Sequence, residues 1–305
     1  IGKDNIPFHA IIWPAELIGV AESFDAKMGA ADPQPLVLPY DVPANEFMNL
    51  EGRKLSGSKN WAVWGLDFLE RYDPDPMRYY LTVNMPENRD SDWDWEEFYQ
   101  RNNNELVATW GNLANRVLSF AYKNWEGKVP EPGELRDADK ALFETLKEGF
   151  NTVEAQLEAV KLRAAVQEAM RLAAEVNKYL DTAGPWFEIK EDKSQAAKTI
   201  YTAMQAIDWL KIIFSPFLPH TSEQLHHILG YEQPIFGQLT TKDVTDDLST
   251  HTVMLYDSRG ALTEGSDDWW KSKPLTPGKP FNQPTPLFQK LDGSIVDEER
   301  ARLGN

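Results

Sequence analysis

From Asp94 onward the apolar positions fall into helical register. Leu106, Trp110, Leu113, Val117 and Phe120 recur at spacings of 4, 3, 4 and 3, a single stripe along one helix face. Asp94 and Glu97 precede it at capping-box spacing, with Asp in the cap position. A second helix is predicted through Leu142, Leu146, Phe150, Val153 and Leu157, and a third through Val166, Met170, Ala173, Val176 and Leu180, stopping near Gly184-Pro185-Trp186. A fourth covers about residues 194–214 and ends at SPFLP; Thr221 opens a fifth, SEQLHHILG. Long amphipathic helices joined by short links make an antiparallel bundle.

The flanks read differently. Residues 1–43 mix apolar runs (AIIWPA, PLVLPY) with turn signals (DPQP, Gly29) and read as α/β. Residues 44–94 carry a loop, EGRKLSGSKN, and then short helices; in DPDPMRYYL, Asp75 is placed as N-cap, Pro76 at the first helical position and Arg78 as a buried, paired side chain. Beyond Gly230 the pattern weakens, and PLTPGKPFNQPTPLFQKLDG is expected to lie extended over another surface.

Composition narrows the classes. With 305 residues and 42% hydrophobic content the chain can bury a sizeable core over two domains, or one with appendages. No apolar run approaches the ~20 residues that span a bilayer, so no membrane partner is expected. The absence of cysteine excludes disulfides and thiolate metal sites and fits a cytoplasmic location. His226 and His227 adjoin on a helix, where neighbouring side chains point about 100° apart, an arrangement unsuited to a paired metal site. A formal charge of −17 argues against broad nonspecific nucleic-acid binding, but permits a small, well-aimed contact surface. Within that acidic chain, Arg53, Lys54 and Lys59 gather around glycines and serines, a composition suited to gripping phosphate and equally to a solvated linker.

The order GKDNIPFH, EGRKLSGSKN, RYDPDPMRYYL, WGNLANRV, YLDTAGPW and SPFLPH resembles the methionyl-tRNA synthetase family, over essentially the whole chain but only in that enzyme's C-terminal part. The HIGH-type ATP motif and the zinc-bearing insertion of the family are not among these residues and are expected upstream of Ile1. The resemblance implies a mainly α fold with an α/β N-terminal part. Residues 1–43 would be the end of a Rossmann-type catalytic domain and 44–94 a connecting (stem-contact) domain. Residues 95–230 would form an α-helical anticodon-binding bundle, and 231–305 an extension packing back on the catalytic side.

The resemblance also assigns roles. Gly2 and Asp4 match the family's adenosine ribose site, while Asn5, Phe8 and His9 match its methionine site; an aromatic contact and one polar group suit a thioether. The loop matches the KMSKS signature, whose five positions are here Lys54, Leu55, Ser56, Gly57 and Ser58. Gly57 stands where the family has its second lysine. Lys59 is the candidate to supply that charge, with Arg53 as a second, so Lys54, Ser56, Ser58 and Lys59 form the catalytic set and Lys54 and Lys59 also bind nucleotide. Asn112 and Arg116, four apart on one helix face, match the residues that read the CAU anticodon, and Trp186 matches the family's anticodon tryptophan. From geometry alone the pair is an ordinary surface pair and the tryptophan a plug on the bundle. The implied reaction is ATP-dependent ligation of methionine to its initiator and elongator tRNAs through a methionyl-adenylate. ATP would come with Mg²⁺, any zinc would be held outside this chain, and the N-terminal catalytic half would be the partner. The alternative is a noncatalytic tRNA-binding protein that kept the bundle and lost the active site; a purely structural bundle explains neither the loop nor the motif order.

Overall fold

The computed structural model describes residues 1–28, 36–245, 249–265, 267–271 and 273–304. The turn signals at Gly29 and in residues 32–35 lie outside them. Two compact units result, one of residues 1–62, 84–95 and 299–305, the other of residues 63–83 and 96–298. Residues 63–83, expected in the connecting region, thus go with the bundle, and the last residues of the extension go with the first unit.

In the first unit, residues 3–28 are helical almost throughout and supply the helical part of the α/β N-terminal region. A short 3-10 turn, Lys3–Asn5, leads to a π-helical turn, Phe8–Ile12, and then to helix α1, Trp13–Met28. Short apolar runs carry no period that separates strand from helix. Pro14 has no N–H for the helical ladder, and the turn before it is the widened one.

The strands come later. β1 (Met48–Leu50) pairs antiparallel with β2 (Arg53–Lys54) and parallel with β3 (Ser91–Trp93), giving the order β2-β1-β3. Asn49 faces Lys54 and Leu50 faces Arg53, so Glu51 and Gly52 form a two-residue hairpin loop with φ of 49° and 71°. Positive φ at both positions is the type I′ turn, whose twist matches that of the strands. Gly52 adopts it without a Cβ penalty. Glu51 is held by its carboxylate: Oε1 accepts the Trp95 N–H at 2.9 Å and Oε2 accepts from Arg300 Nε at 2.9 Å. Trp93 and Trp95 are buried and meet edge-on at 5.2 Å, as packing residues do.

The second unit begins with α2 (Gly65–Leu69) and α3 (Pro74–Val83). Asp75 is not the cap of α3. Pro74 already opens the helix, and Asp75 is buried in its first turn, where Oδ2 accepts from the Thr221 N–H at 2.6 Å and from the Thr221 hydroxyl. Arg78 is exposed and donates to the carbonyls of Pro216 and Phe217 at 2.9 and 3.1 Å, so it serves orphan carbonyls past a helix end rather than a carboxylate.

α4 (Trp95–Arg101) starts directly after Asp94, and Glu97 accepts from Tyr80 and Arg101. It passes into a ten-residue π-helical stretch, Asn102–Gly111, and then α5 (Asn112–Asn124). The Thr109 hydroxyl donates to the carbonyl of Asn104, five residues back, in keeping with that wider turn. The predicted stripe is nonetheless intact: Leu106, Trp110, Leu113 and Val117 are buried and Phe120 half-buried.

α6 (Asp137–Glu158) and α7 (Leu162–Ala183) bury their predicted faces, and α7 ends at Gly184, φ 63°, in left-handed conformation. A short helix absent from the sequence reading, α8 (Pro185–Glu191), follows at once. α9 (Lys193–Phe214) is capped by Asp192 and buried on every side from Thr199 to Phe214, as a helix at the centre of a bundle must be. α10 runs from Pro219 to Ile228, two residues ahead of the expected start at Thr221.

Between α9 and α10 lies a buried polar cluster. Lys211 Nζ is 2.6 Å from Asp208 Oδ1 and 2.7 Å from His226 Nδ1, and Tyr231 stacks on the imidazole at 4.3 Å. Burial, together with the neighbouring Lys211, holds the His226 pKa down at about 3, so the ring is neutral and accepts from the ammonium.

Beyond Gly230 the weak pattern conceals a hairpin, β4 (Gln238–Thr245) antiparallel to β5 (Thr250–Asp257). Both strands are largely exposed. The proline-rich segment then lies extended along the bundle: Tyr201 donates to the Leu275 carbonyl, Val129 to Lys279, and Asn103 to Leu291. α11 (Ile295–Arg302) closes the chain's regular structure. Among the described residues no helix is long and apolar enough to cross a membrane, and no group of three or more His, Cys, Asp or Glu could hold a metal ion.

Candidate functional site

The basic loop is a framed structure. Ser56 and Trp61 bond reciprocally through their backbones at 2.9 Å, closing a six-residue loop around a 3-10 turn, Gly57–Lys59. The Trp61 indole donates to the Leu50 carbonyl at 2.8 Å, and Arg53 lies over its ring at 3.9 Å. Arg53 therefore braces the loop's base. Lys54 and Lys59 remain exposed and pair with no carboxylate among the described residues. Ser56 and Ser58 place their hydroxyl oxygens 3.4 Å apart on the same loop.

The N-terminal candidates meet this loop at an aromatic residue that sequence reasoning missed. Lys3 Nζ lies 4.6 Å from the centroid of the Phe47 ring and Lys54 Nζ 5.9 Å from it. Lys3 is further held by Glu46 and, at 3.9 Å, by Asp90. Gly2, bridged to Asn45, and exposed Asp4 flank Lys3. Asn5, Phe8 and His9 lie one turn on, all exposed, with His9 Nδ1 2.9 Å from the Asn5 carbonyl. Nothing in the spacing of NEFMN marks Phe47, since a lone aromatic before a strand is an ordinary core position.

On the bundle, Asn112, Arg116 and Trp186 converge. Asn112 and Arg116 are exposed one turn apart on α5, and the Arg116 guanidinium lies 5.0 Å from the Trp186 ring centroid. Phe120 also meets that ring edge-on, at 5.0 Å and 84°. Arg116 is steadied by Asn177 Oδ1 at 3.3 Å and Asp181 at 3.6 Å, both on α7. Asn177 in turn donates to the carbonyls of Thr109 and Ala173, tying α7 to the π-helical stretch. Trp186 sits just past the end of α7, in the first turn of α8, half-buried, with the exposed Phe187 beside it. A planar cation over an indole, with neighbouring faces open to solvent, is the equipment for stacking and hydrogen-bonding unpaired bases.

Two family models match the chain, one described as class I (M) tRNA synthetases over residues 1–118, the other as the anticodon binding domain of methionyl tRNA ligase over residues 129–257. The chain belongs to the methionyl-tRNA synthetase family. It is 51% identical to the methionine–tRNA ligase of Thermomicrobium roseum and 50% identical to that of Roseiflexus castenholzii, across 99% of its own length in each case. It spans about half the length of these curated relatives, 49% and 48%. Among solved structures, the methionyl-tRNA synthetase of Mycobacterium tuberculosis bound by methionyl-adenylate superposes with a TM-score of 0.72 at 25% identity, covering 94% of this chain and 49% of that one.

Within this family member, the position of α8 depends on a residue that carries no motif. Arg136 donates to Asp139 (2.9 Å), Glu188 (3.1 Å), Tyr179 (3.0 Å) and Thr199 (2.6 Å), joining the start of α6 to α7, α8 and α9. Thr199 also donates to Glu188 at 2.8 Å. Burial works to raise the pKa of the enclosed Asp139 carboxyl, but hydrogen bonds from Arg136 and Tyr179 outweigh it and hold the group below its ordinary value. A carboxyl so depressed contributes stability that is present above its unfolded pKa, about 3.9, and is lost as pH falls through the lower folded value. Thermal melts between pH 7 and pH 3 are expected to show the Asp139→Asn variant less stable at neutral pH and less sensitive to acid than wild type. Parallel acid dependence in the two proteins would remove Asp139 from the acid-sensitive set.

Proposed function

We propose that this chain is the part of a cytoplasmic methionine–tRNA ligase that carries the ATP loop and the anticodon-binding bundle. The observation that carries the reading is the meeting of Lys3 and Lys54 at Phe47, which brings the Gly2-x-Asp4 ribose motif beside the phosphate loop. In the reaction the methionine carboxylate attacks the α-phosphorus of ATP and pyrophosphate leaves. The tRNA's terminal hydroxyl then attacks the adenylate's acyl carbon, forming the ester as the acyl–phosphate bond breaks and AMP leaves. Asp4 accepts from ribose hydroxyls, Asn5, Phe8 and His9 line the methionine side, and Lys54 and Lys59 meet phosphate charge as it develops. Ser56, Ser58 and the turn's backbone N–H groups offer further donors to the departing pyrophosphate. Mg²⁺ enters with ATP as part of the substrate, and zinc, where the complete enzyme holds it, is bound outside this chain.

The proposed division runs from the end of a Rossmann-type catalytic domain (1–43) through the connecting domain (44–94) and bundle (95–230) to the extension (231–305). The partners are methionine, its CAU-bearing initiator and elongator tRNAs, and the N-terminal half of the enzyme. Methionine-dependent ATP–pyrophosphate exchange tests the reading. Activity is expected when this chain is joined to the N-terminal half and not from this chain alone. Tight binding of methionine tRNA without exchange by the complete protein would replace the enzyme with a noncatalytic tRNA-binding protein.

A further inference from the structure

The contact between Arg116 and Trp186 is one end of a longer seam. Phe120 meets both Trp186, at 5.0 Å, and Trp125, at 6.1 Å and 59°. Lys193 Nζ, at the first residue of α9, lies 5.6 Å from the Trp125 ring. The order across the surface is thus cation, indole, phenyl, indole, cation, drawn from α5, the residue that ends it, α8 and the start of α9. Trp125 is half-buried, and Lys193 is exposed and pairs with no carboxylate among the described residues. From Arg116 to Trp125 the helix rises about 13 Å, enough to accompany an extended strand past a single base site.

We infer that Trp125 and Lys193 form a second nucleotide subsite, which takes a nucleotide flanking the anticodon triplet in the same tRNA loop. The inference rests on the anticodon-binding role proposed above for Arg116 and Trp186. Two features select single-stranded RNA as the occupant. The seam is continuous with the anticodon face, and it places a cation without a carboxylate partner among the described residues over an indole, on a chain of net charge −17. Stacking on aromatic rings accepts any base, and the adjacent lysine supplies phosphate contact, so the subsite adds affinity without reading sequence. Lys193 leaves the ring for the backbone phosphate as the base settles on Trp125. A surface of this composition that served packing alone would have no use for the lysine.

The test uses the complete enzyme and methionine tRNA transcripts, either unaltered or carrying one abasic nucleotide immediately 5′ or 3′ of the triplet. Trp125→Ala is expected to raise the KM for unaltered tRNA about tenfold while kcat and methionine-dependent pyrophosphate exchange stay at wild-type values. Trp125→Phe should restore most of the affinity. With one of the two abasic transcripts the Trp125→Ala effect should vanish, since the stacking partner is already gone. Lys193→Ala should reduce the slope of log affinity against log salt by about 0.7, the value for one phosphate contact on a single strand. An equal penalty from Trp125→Ala on all three transcripts, or an unchanged KM, overturns the subsite. Trp186→Ala serves as the control: if it weakens charging while Trp125→Ala does not, only the second subsite fails. If neither weakens charging, the anticodon reading itself fails.

Discussion

Replacing Lys59 with alanine in the complete enzyme is expected to slow methionyl-adenylate formation on the order of 10²-fold, the usual cost of removing one positioned donor from developing charge. Gly57 occupies the position where the family places a lysine, so the loop has one cation fewer at its tip. Lys59 ends the 3-10 turn Gly57–Lys59 and is exposed, without a carboxylate partner among the described residues. Arg53 cannot readily take over, because its guanidinium is stacked on Trp61 at 3.9 Å. Methionine affinity should change little, since phosphate charge develops mainly in the transition state. Stopped-flow measurement of adenylate formation, paired with equilibrium methionine binding, separates the two quantities. An unchanged rate would transfer the role to Lys54.

Trp186→Ala is expected to lower kcat/KM for tRNA charging about 10- to 100-fold, the range for loss of one base stacked on an aromatic ring. Pyrophosphate exchange should remain near wild type. The substitution also strips Arg116 and Phe120 of their shared neighbour, so a melting curve must accompany the kinetics. Equal losses in charging and exchange would make Trp186 a packing residue.

The helices of the bundle were legible because their faces alternate between core and solvent with a period that survives even the π-helical stretch before Asn112. α9 was legible in extent, closed by SPFLP, but its burial on every side was not. Its buried Asp208 and Lys211 carry no such signal, because a charge pair in sequence says nothing about whether a histidine and a tyrosine will enclose it. The hairpin β4–β5 was missed because its alternation is built largely from Thr, Val and Asp, and both faces are exposed. In residues 1–28 the helix could not be marked out within the α/β stretch, because an apolar run interrupted by proline has no clear period. At the candidate site, motif positions named Lys54, Lys59, Arg116 and Trp186. The residues that hold them, Phe47, Trp61, Asn177 and Arg136, act through contacts between distant segments, which no local pattern records.

The Glu51 carboxylate accepts from Arg300, 249 residues along the chain, and the Asn60 carbonyl accepts from the Gly304 N–H at 2.9 Å. Both bonds brace the loop that carries Lys54 and Lys59, and they need the chain synthesised as far as residues 300 and 304 respectively. Closing so long an interval is costly in chain entropy, and contacts of high sequence separation form late. The bundle, whose contacts lie within the intervening residues, can therefore be complete while the phosphate loop still lacks its final brace. A nascent chain would then complete its helical bundle before the basic loop is held from its far side.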